Sequence, residues 1–457
     1  MGPALALLCV AGLVGCTSAF DTHRQDLRAE HDSGNYQRAA AVLDEPEVQD
    51  EYGERNRTLW LLDRGAVALK LGDSDAALRS LEEAEKRIDA QRELRPDESA
   101  AQWVLNDTVV PYVAAPYEDA YVNVLKMLAR LERGEVDGGA TVEARRLANK
   151  ANLLRDKYLQ EAKALEKQAG DRYAAAERSG AAKKFATPTG GEFIGSPLGD
   201  YLTAITFMKT GDREFQRVAG RRLVQSIEAV PQVFPNVKKD AFAGLAEMNP
   251  DAGNVLVVGL AGRGPYLVPE RVGPIAVYSV PVYFELPKMQ FRDSAVRGAR
   301  VEVREAGGAA REVGRLELVE DLAAVAEENF ARQRPLIYQR TLVRYLVKAA
   351  ATVGASEAVA QSQDGNDGTR DLVRIVGGLI GLAVLGATER ADLRSWEFLP
   401  GRAFVGLVKL EPGEHEVRVV YLSKGDGSID VGGWRKVVVP TGDVASQLAT
   451  VVETTVR

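Results

Sequence analysis

Four glycines, each followed by an acidic or amide residue, constrain this chain more than any other feature: Gly34-Asn35, Gly72-Asp73, Gly134-Glu135 and Gly211-Asp212. Gly followed by a small or acidic polar residue punctuates a helical pattern, so each pair reads as a turn between two helices. The flanking residues agree. Leu59, Leu62, Ala66 and Leu69 fall on one face of a first helix, and Ala77, Leu81, Ala84 and Ile88 line a second at helical spacing. Small residues at Gly65, Ala77 and Ala84 let these two helices approach closely. Residues 34–43 read as the second half of an earlier pair, 121–131 with 140–154 as a third, and 197–209 with 212–227 as a fourth. The turns lie 38, 62 and 77 residues apart, so the array is irregular.

Between the third and fourth pairs, 178–199 is rich in Gly, Ala, Thr and Pro and reads as a loop. Near Asn249-Pro250-Asp251 the periodicity changes from helical to strand-like. Residues 254–258, 275–286, 299–304 and 315–318 are β-branched or alternating, and each is expected to form one strand. Helices are expected at 319–332 and 335–351, then a polar stretch at 361–369 and a buried apolar helix at 375–387. Residues 403–410 and 416–422 are expected to pair as a hairpin about Pro412-Gly413, with strands 434–439 and 449–456 completing a mainly antiparallel sheet. The fold class is therefore α+β: a helical domain over 16–250 and a mixed α+β domain over 251–457.

At the N-terminus, Leu13-Val14-Gly15-Cys16 closes an apolar run that carries no charge from Pro3 onward. The run is shorter than the ~20 residues a membrane-spanning helix needs, so it reads as a cleaved signal over 1–15. Cys16 is the expected lipidation site, and several acyl chains would hold the chain to a membrane. Cys9 lies inside that signal, so no internal disulfide is expected in the mature chain.

A net charge of -7 and a pI near 5.4 argue against a general nucleic-acid surface. His23, His31 and His415 are too dispersed in sequence to suggest a metal centre, and no cofactor is expected. No Gly-x-Ser-x-Gly elbow, P-loop or His-Glu-x-x-His motif is present. Gly262-Arg263-Gly264-Pro265 reads as a turn. Arg340, Arg344 and Lys348 recur every four residues as a basic stripe, read as a solvated helix face, with anionic lipid or an acidic partner as the alternative. Asp392, Arg394, Ser395 and Trp396 form the most distinctive short segment. An ion pair between Asp392 and Arg394, with Trp396 sealing the core beside it, is the simplest account.

Residues 59–88 resemble a tetratricopeptide repeat, with Gly65, Ala77, Leu81 and Ala84 at its small or apolar packing positions. The order of a lipobox, repeat-like helices with Gly-Asp turns, Ala391-Asp392-Leu393-Arg394-Ser395-Trp396 and the Leu410-Glu411-Pro412-Gly413 turn resembles a family of bacterial TPR-like lipoproteins. That family generally carries Thr where Leu393 stands. The resemblance implies the fold and an envelope location, and it brings no active-site residue. Thr17 after the cysteine favours the periplasmic face of the outer membrane. The function expected is a lipid-anchored scaffold that binds envelope proteins through its helical surface, without catalysis. The alternative is a glycan-binding or hydrolytic factor acting through the C-terminal half, and self-association through 375–387 is a third reading.

Overall fold

A computed structural model describes residues 19–93, 110–150, 193–277, 280–305, 308–361 and 391–457, with scattered residues of the helix that runs on past 150. Cys16 and the expected signal, the expected loop up to residue 192, the stretch after Gln361 and the apolar run 375–387 lie outside the described residues. The helical half contains α1 (Ala19–Asp32), α2 (Tyr36–Asp44), α3 (Pro46–Tyr52), α4 (Arg57–Lys70), α5 (Ser74–Glu93), α6 (Pro116–Glu132), α7 (141–150 and beyond), α8 (Pro197–Thr210) and α9 (Arg213–Ala229).

The four glycine turns share one geometry. Each glycine is left-handed, with φ of 79°, 74°, 74° and 82° in chain order. The next residue's N–H donates to the carbonyl five positions back: Asn35 to Glu30 at 3.0 Å, Asp73 to Ala68 at 3.0 Å, Glu135 to Arg130 at 2.9 Å and Asp212 to Phe207 at 2.9 Å. This closes the outgoing helix in a Schellman motif. The same Asn35, Asp73 and Asp212 then accept from Arg38, Ala76 and Phe215 as N-caps of α2, α5 and α9. Glu135 instead pairs with Arg130 and Arg133, and the backbone breaks at Asp137 and Gly138 before α7 begins. All eight apolar positions named on α4 and α5 are buried. A Cβ at Gly65 would stand 2.7 Å from Leu81, so glycine sets the separation of that pair.

The second half is built on one curled sheet in the order β10-β1-β6-β5-β4-β7-β8, with β9 also pairing β7. The strands are β1 (Val255–Ala261), β4 (Gly298–Arg304), β5 (Arg311–Asp321), β6 (Arg402–Val408), β7 (Gly413–Leu422), β8 (Ser428–Val431), β9 (Arg435–Val439) and β10 (Ala449–Thr455). Among the described strands only β1 and β10 run parallel, so the sheet is mainly antiparallel as expected. β1 is buried along its whole length, and the strand period of two divides its side chains between two cores. Leu256, Val258 and Leu260 pack toward the helices, while Val255, Val257 and Ala261 face the inside of the curl with Val301, Phe404, Val419 and Tyr421. Tyr421 Oη donates across that interior to the carbonyls of Leu260 and Glu453 at 3.2 and 2.7 Å. The helix-facing core runs without interruption from Leu27 on α1 to Val452 on β10. Residues 250/251 therefore mark a change of element type, with one core shared across the expected domain boundary.

Three expected elements differ. Residues 403–410 and 416–422 are both strands, but they do not pair: β6 has β1 and β5 on its edges, while β7 lies beside β4. Asn254 explains the departure. Its side chain accepts from Leu410 N and donates to Leu410 O, both at 2.9 Å, pinning the chain at the end of β6 before it can fold back. The single strand expected at 275–286 is two, β2 (Tyr266–Val277) and β3 (Val280–Gln290), because the chain reverses between Val277 and its partner Val280. The helices expected at 319–332 and 335–351 are one helix, α10 (Leu322–Gln361), which runs through Pro335. Proline there removes one intrahelical hydrogen bond without ending the helix.

Candidate functional site

Two clusters of buried charge stand out, one sealed and one opening to solvent. The sealed cluster forms where α1 and α6 meet the segment before β6. Arg394 binds Asp392 with two nitrogens, at 2.8 and 2.6 Å, and reaches Asn56 Oδ1 at 2.8 Å and the carbonyl of Val110 at 3.1 Å. Trp396 is fully buried, and its backbone N–H donates to Glu118 Oε1 at 2.6 Å. Glu118 also accepts from Tyr112 Oη at 2.5 Å and from the N–H of Ala115 at 2.7 Å, so one carboxylate caps α6 and latches the 391–399 segment. Ser395 contributes its carbonyl, which accepts from Arg24 at 3.0 Å. The expected ion pair with Trp396 beside it is what this segment forms.

Glu397 is the hub of this cluster. Arg28 on α1 approaches it at 2.5 Å, Arg292 after β3 at 2.9 Å and Arg24 at 3.8 Å. Burial pushes the Glu397 carboxyl up, but Arg24, Arg28 and Arg292 outweigh it and hold the group below the usual carboxylate range. Asp63 has weaker compensation. Burial outweighs the nearby Arg24 and pushes its carboxyl up to about 7. At the end of α1, His31 Nε2 contacts Lys70 Nζ, and its ring lies 4.5 Å from that of Phe398. Burial, with Lys70 next, lowers His31 to about 3; burial lowers Lys70 to about 7. The helix is further tied by Asp32 to Arg263 at 2.5 Å, within the turn that follows β1.

The open cluster lies in a groove of ≈ 700 Å³ between α5, α6 and α7. Helical spacing builds it: Glu82, Glu85, Lys86 and Asp89 share a face of α5, Asn123 and Lys126 a face of α6, and Glu143, Arg146 and Lys150 a face of α7. On the floor, Lys126 Nζ bridges Glu85 at 2.6 Å and Glu143 at 2.9 Å. Asn123 Nδ2 donates to the same two carboxylates at 2.7 and 2.8 Å. Lys150 binds Asp119 at 2.6 Å and reaches Glu85 at 3.5 Å. Burial raises the Glu85 carboxyl, but Lys150 and Lys126 overcome it and bring the group down to about 2. A carboxylate held that low stays ionised at neutral pH and has no proton to give as a general acid. The rim carries long side chains of both signs, with Glu82 and Asp89 beside Lys86 and Arg146, which are 76 % and 52 % exposed, and some apolar surface, Val142 and Leu153 at 37 % and 46 % exposed.

These groove residues carry no motif in the sequence. The available signal was Asn123 and Lys126, two polar residues inside the otherwise apolar face-forming run of α6. The basic stripe fares differently from its expectation. Arg344 is buried at 3 % exposure and Arg340 is half-buried, so the stripe is not a solvated face; the Lys348 side chain lies outside the described residues. The reason is that α10 packs against β3 through Tyr345 and Phe284, whose rings meet edge-on at 5.2 Å. His415 is on the surface, with Nε2 2.8 Å from the carbonyl of Glu411. Among the described residues no His, Cys, Asp or Glu group is arranged to hold a metal ion. No protein-family model, curated protein or solved structure matches this chain.

Proposed function

We propose that this protein is a lipid-anchored scaffold of the bacterial cell envelope, held by Cys16, that binds other proteins through its TPR-like helical array and performs no catalysis of its own. The observation that carries the reading is the groove between α5, α6 and α7. Its floor is a lattice of mutually neutralised charges, and its rim offers long cations, carboxylates and two exposed apolar side chains. Such a surface suits an extended polypeptide, which presents backbone polar groups and side chains of mixed character along one line. The resemblance of the helix pairs to tetratricopeptide repeats, and the lipobox ahead of them, support the same reading.

The test uses the full chain in living cells. A palmitate analogue should label the protein and fail to label Cys16→Ser. A photo-reactive residue in place of Leu153, on the groove rim, should capture a discrete protein, and one in place of exposed Val438 on β9 should not. Equal capture from both positions, or none from the groove, would contradict the scaffold reading.

A further inference from the structure

Where the curled sheet comes back toward itself it leaves a seam, since β10 begins the strand order and β8 and β9 end it. Among the described residues, side chains bridge these edges: Arg435 Nε donates to Glu453 at 3.1 Å, and Thr455 Oγ1 donates to Asp430. Beside that bridge the seam opens into a cleft of ≈ 360 Å³, lined by Arg435 and Lys436 of β9, Thr450 of β10, Glu132 and Arg133 at the end of α6, and the turn at Gly72. Its size falls within the ~300–1,000 Å³ of small-molecule sites.

The acids of this cleft are already matched. Glu132 accepts from Ser74 Oγ at 2.9 Å and faces the Val452 N–H, Asp75 pairs with Arg133, and Asp73 caps α5 by accepting from Ala76. The donors are not matched. Arg435 spends only Nε, on Glu453, and its two η nitrogens have no acceptor among the described residues. Glycine at 72 leaves the room that this guanidinium occupies: a Cβ there would stand 2.8 Å from Nη1. Lys436 is exposed and has no ion pair among the described residues. Thr450 Oγ1 is buried without a hydrogen-bond partner. β10 turns the Ala449 N–H to Asn254 and the Thr455 carbonyl to Gly262, both on the β1 side, so strand alternation turns the Thr450 N–H to the seam.

We propose that this cleft binds the phosphate group of a small phosphate ester. A site whose acids are satisfied and whose donors are not selects an anion rich in acceptors. Arg435, Lys436 and Thr450 offer separate donors to the terminal oxygens of a phosphate monoester, where a planar carboxylate has fewer oxygens to share among them. The cleft is larger than a bare ion needs and leaves room for the esterified group. His31 contacts Lys70, two residues before Gly72, so the cleft stands by the C-terminal end of α1, ~20 Å along that helix from Ala19. On the anchored reading above, that distance sets the cleft away from the leaflet headgroups, and the ester it takes is soluble.

Calorimetric titration of glycerol phosphate into the full chain, in nonionic detergent, provides the test. One equivalent should bind saturably. Lys436→Gln and Thr450→Val should each weaken that binding by at least about tenfold at an unchanged unfolding temperature. Lys238→Gln, at a lysine 79 % exposed elsewhere on the surface, should leave it as it was. No binding to the parent, no loss in the two cleft variants, or equal loss in all three overturns the site. Acetate should bind at least about tenfold more weakly than the ester, and equal affinity overturns the choice of phosphate. Reconstituted in phosphatidylglycerol vesicles, the protein should bind the ester as it does in phosphatidylcholine vesicles; competition by the phosphatidylglycerol headgroup overturns the soluble source. Cys16→Ser should keep the binding, so failure of the fatty-acid label refutes the anchor alone, and loss of the ester in the parent refutes the cleft alone.

Discussion

The sealed cluster and the open groove both bury several charges, and in each the hub carboxylate, Glu397 or Glu85, is held down by neighbouring cations; the two regions differ in the groups around the hub. In the groove, Glu85 has Lys150 and Lys126 beside it, and attraction exceeds the cost of burial, bringing the carboxyl to about 2. In the sealed cluster, desolvation wins at Asp63, His31 and Lys70, which sit at about 7, 3 and 7. The first arrangement keeps its charge at any pH a cell meets. The second holds groups that change charge between about pH 3 and 7, and it joins α1 to the body of the molecule. Buried charge therefore serves as a permanent surface feature in one place and as a pH-sensitive clasp in the other.

Removing a partner from the clasp should cost most. Arg24→Ala strips Asp63 and Glu397 of a fully buried cation, and urea unfolding should show a loss of about 3–5 kcal/mol. Lys126→Met in the groove should cost less, about 2–3 kcal/mol, because Glu85 keeps Lys150 and Arg146. The same variant should raise the Glu85 pKa above about 2.

A smaller effect comes from pH. His31 titrates at about 3 when folded against 6.5 ordinarily, so between these values the unfolded chain takes up a proton that the folded chain refuses. Its contribution falls as the solution is acidified, by up to about 1.4 kcal/mol per pH unit. Asp63, at about 7 against 3.8, does the reverse, and its contribution falls as pH rises through that window. Against the parent protein, His31→Gln should flatten the loss of stability on acidification, and Asp63→Asn should steepen it, both read by thermal unfolding between pH 4 and about 6.5. The smallest effect belongs to the shared turns. Gly134 has φ of 74° and open space around it, so Gly134→Ala should cost about 1 kcal/mol through backbone strain alone.

What could be read from sequence divides along the range of the interactions involved. The α4–α5 faces and the four turns were legible because a helix end, its cap and its apolar period are set within a few residues. The Asp392–Arg394 pair was legible for the same reason, two positions apart. The pairing of β6 with β1 and β5 was not, because local pattern marks a strand and leaves its neighbour open; Asn254, more than a hundred residues from Leu410, decides where the chain turns away. The Glu397 hub was also hidden, since its cations come from α1 and, as Arg292, from the segment after β3. Both groove carboxylates lie on helices whose charged residues look like ordinary solvent-facing positions. Lys126 and Asn123, set within an apolar run, were the one local sign that α6 faces something polar.

A site-resolved carboxyl titration of Glu85 and Asp63, by NMR on the folded protein with selectively labelled carboxylates, tests this contrast most directly. The account predicts that Glu85 titrates near 2 and Asp63 near 7, a reversal of the ordinary order of Glu above Asp. Two carboxyls titrating together in the ordinary range near 4 would contradict it.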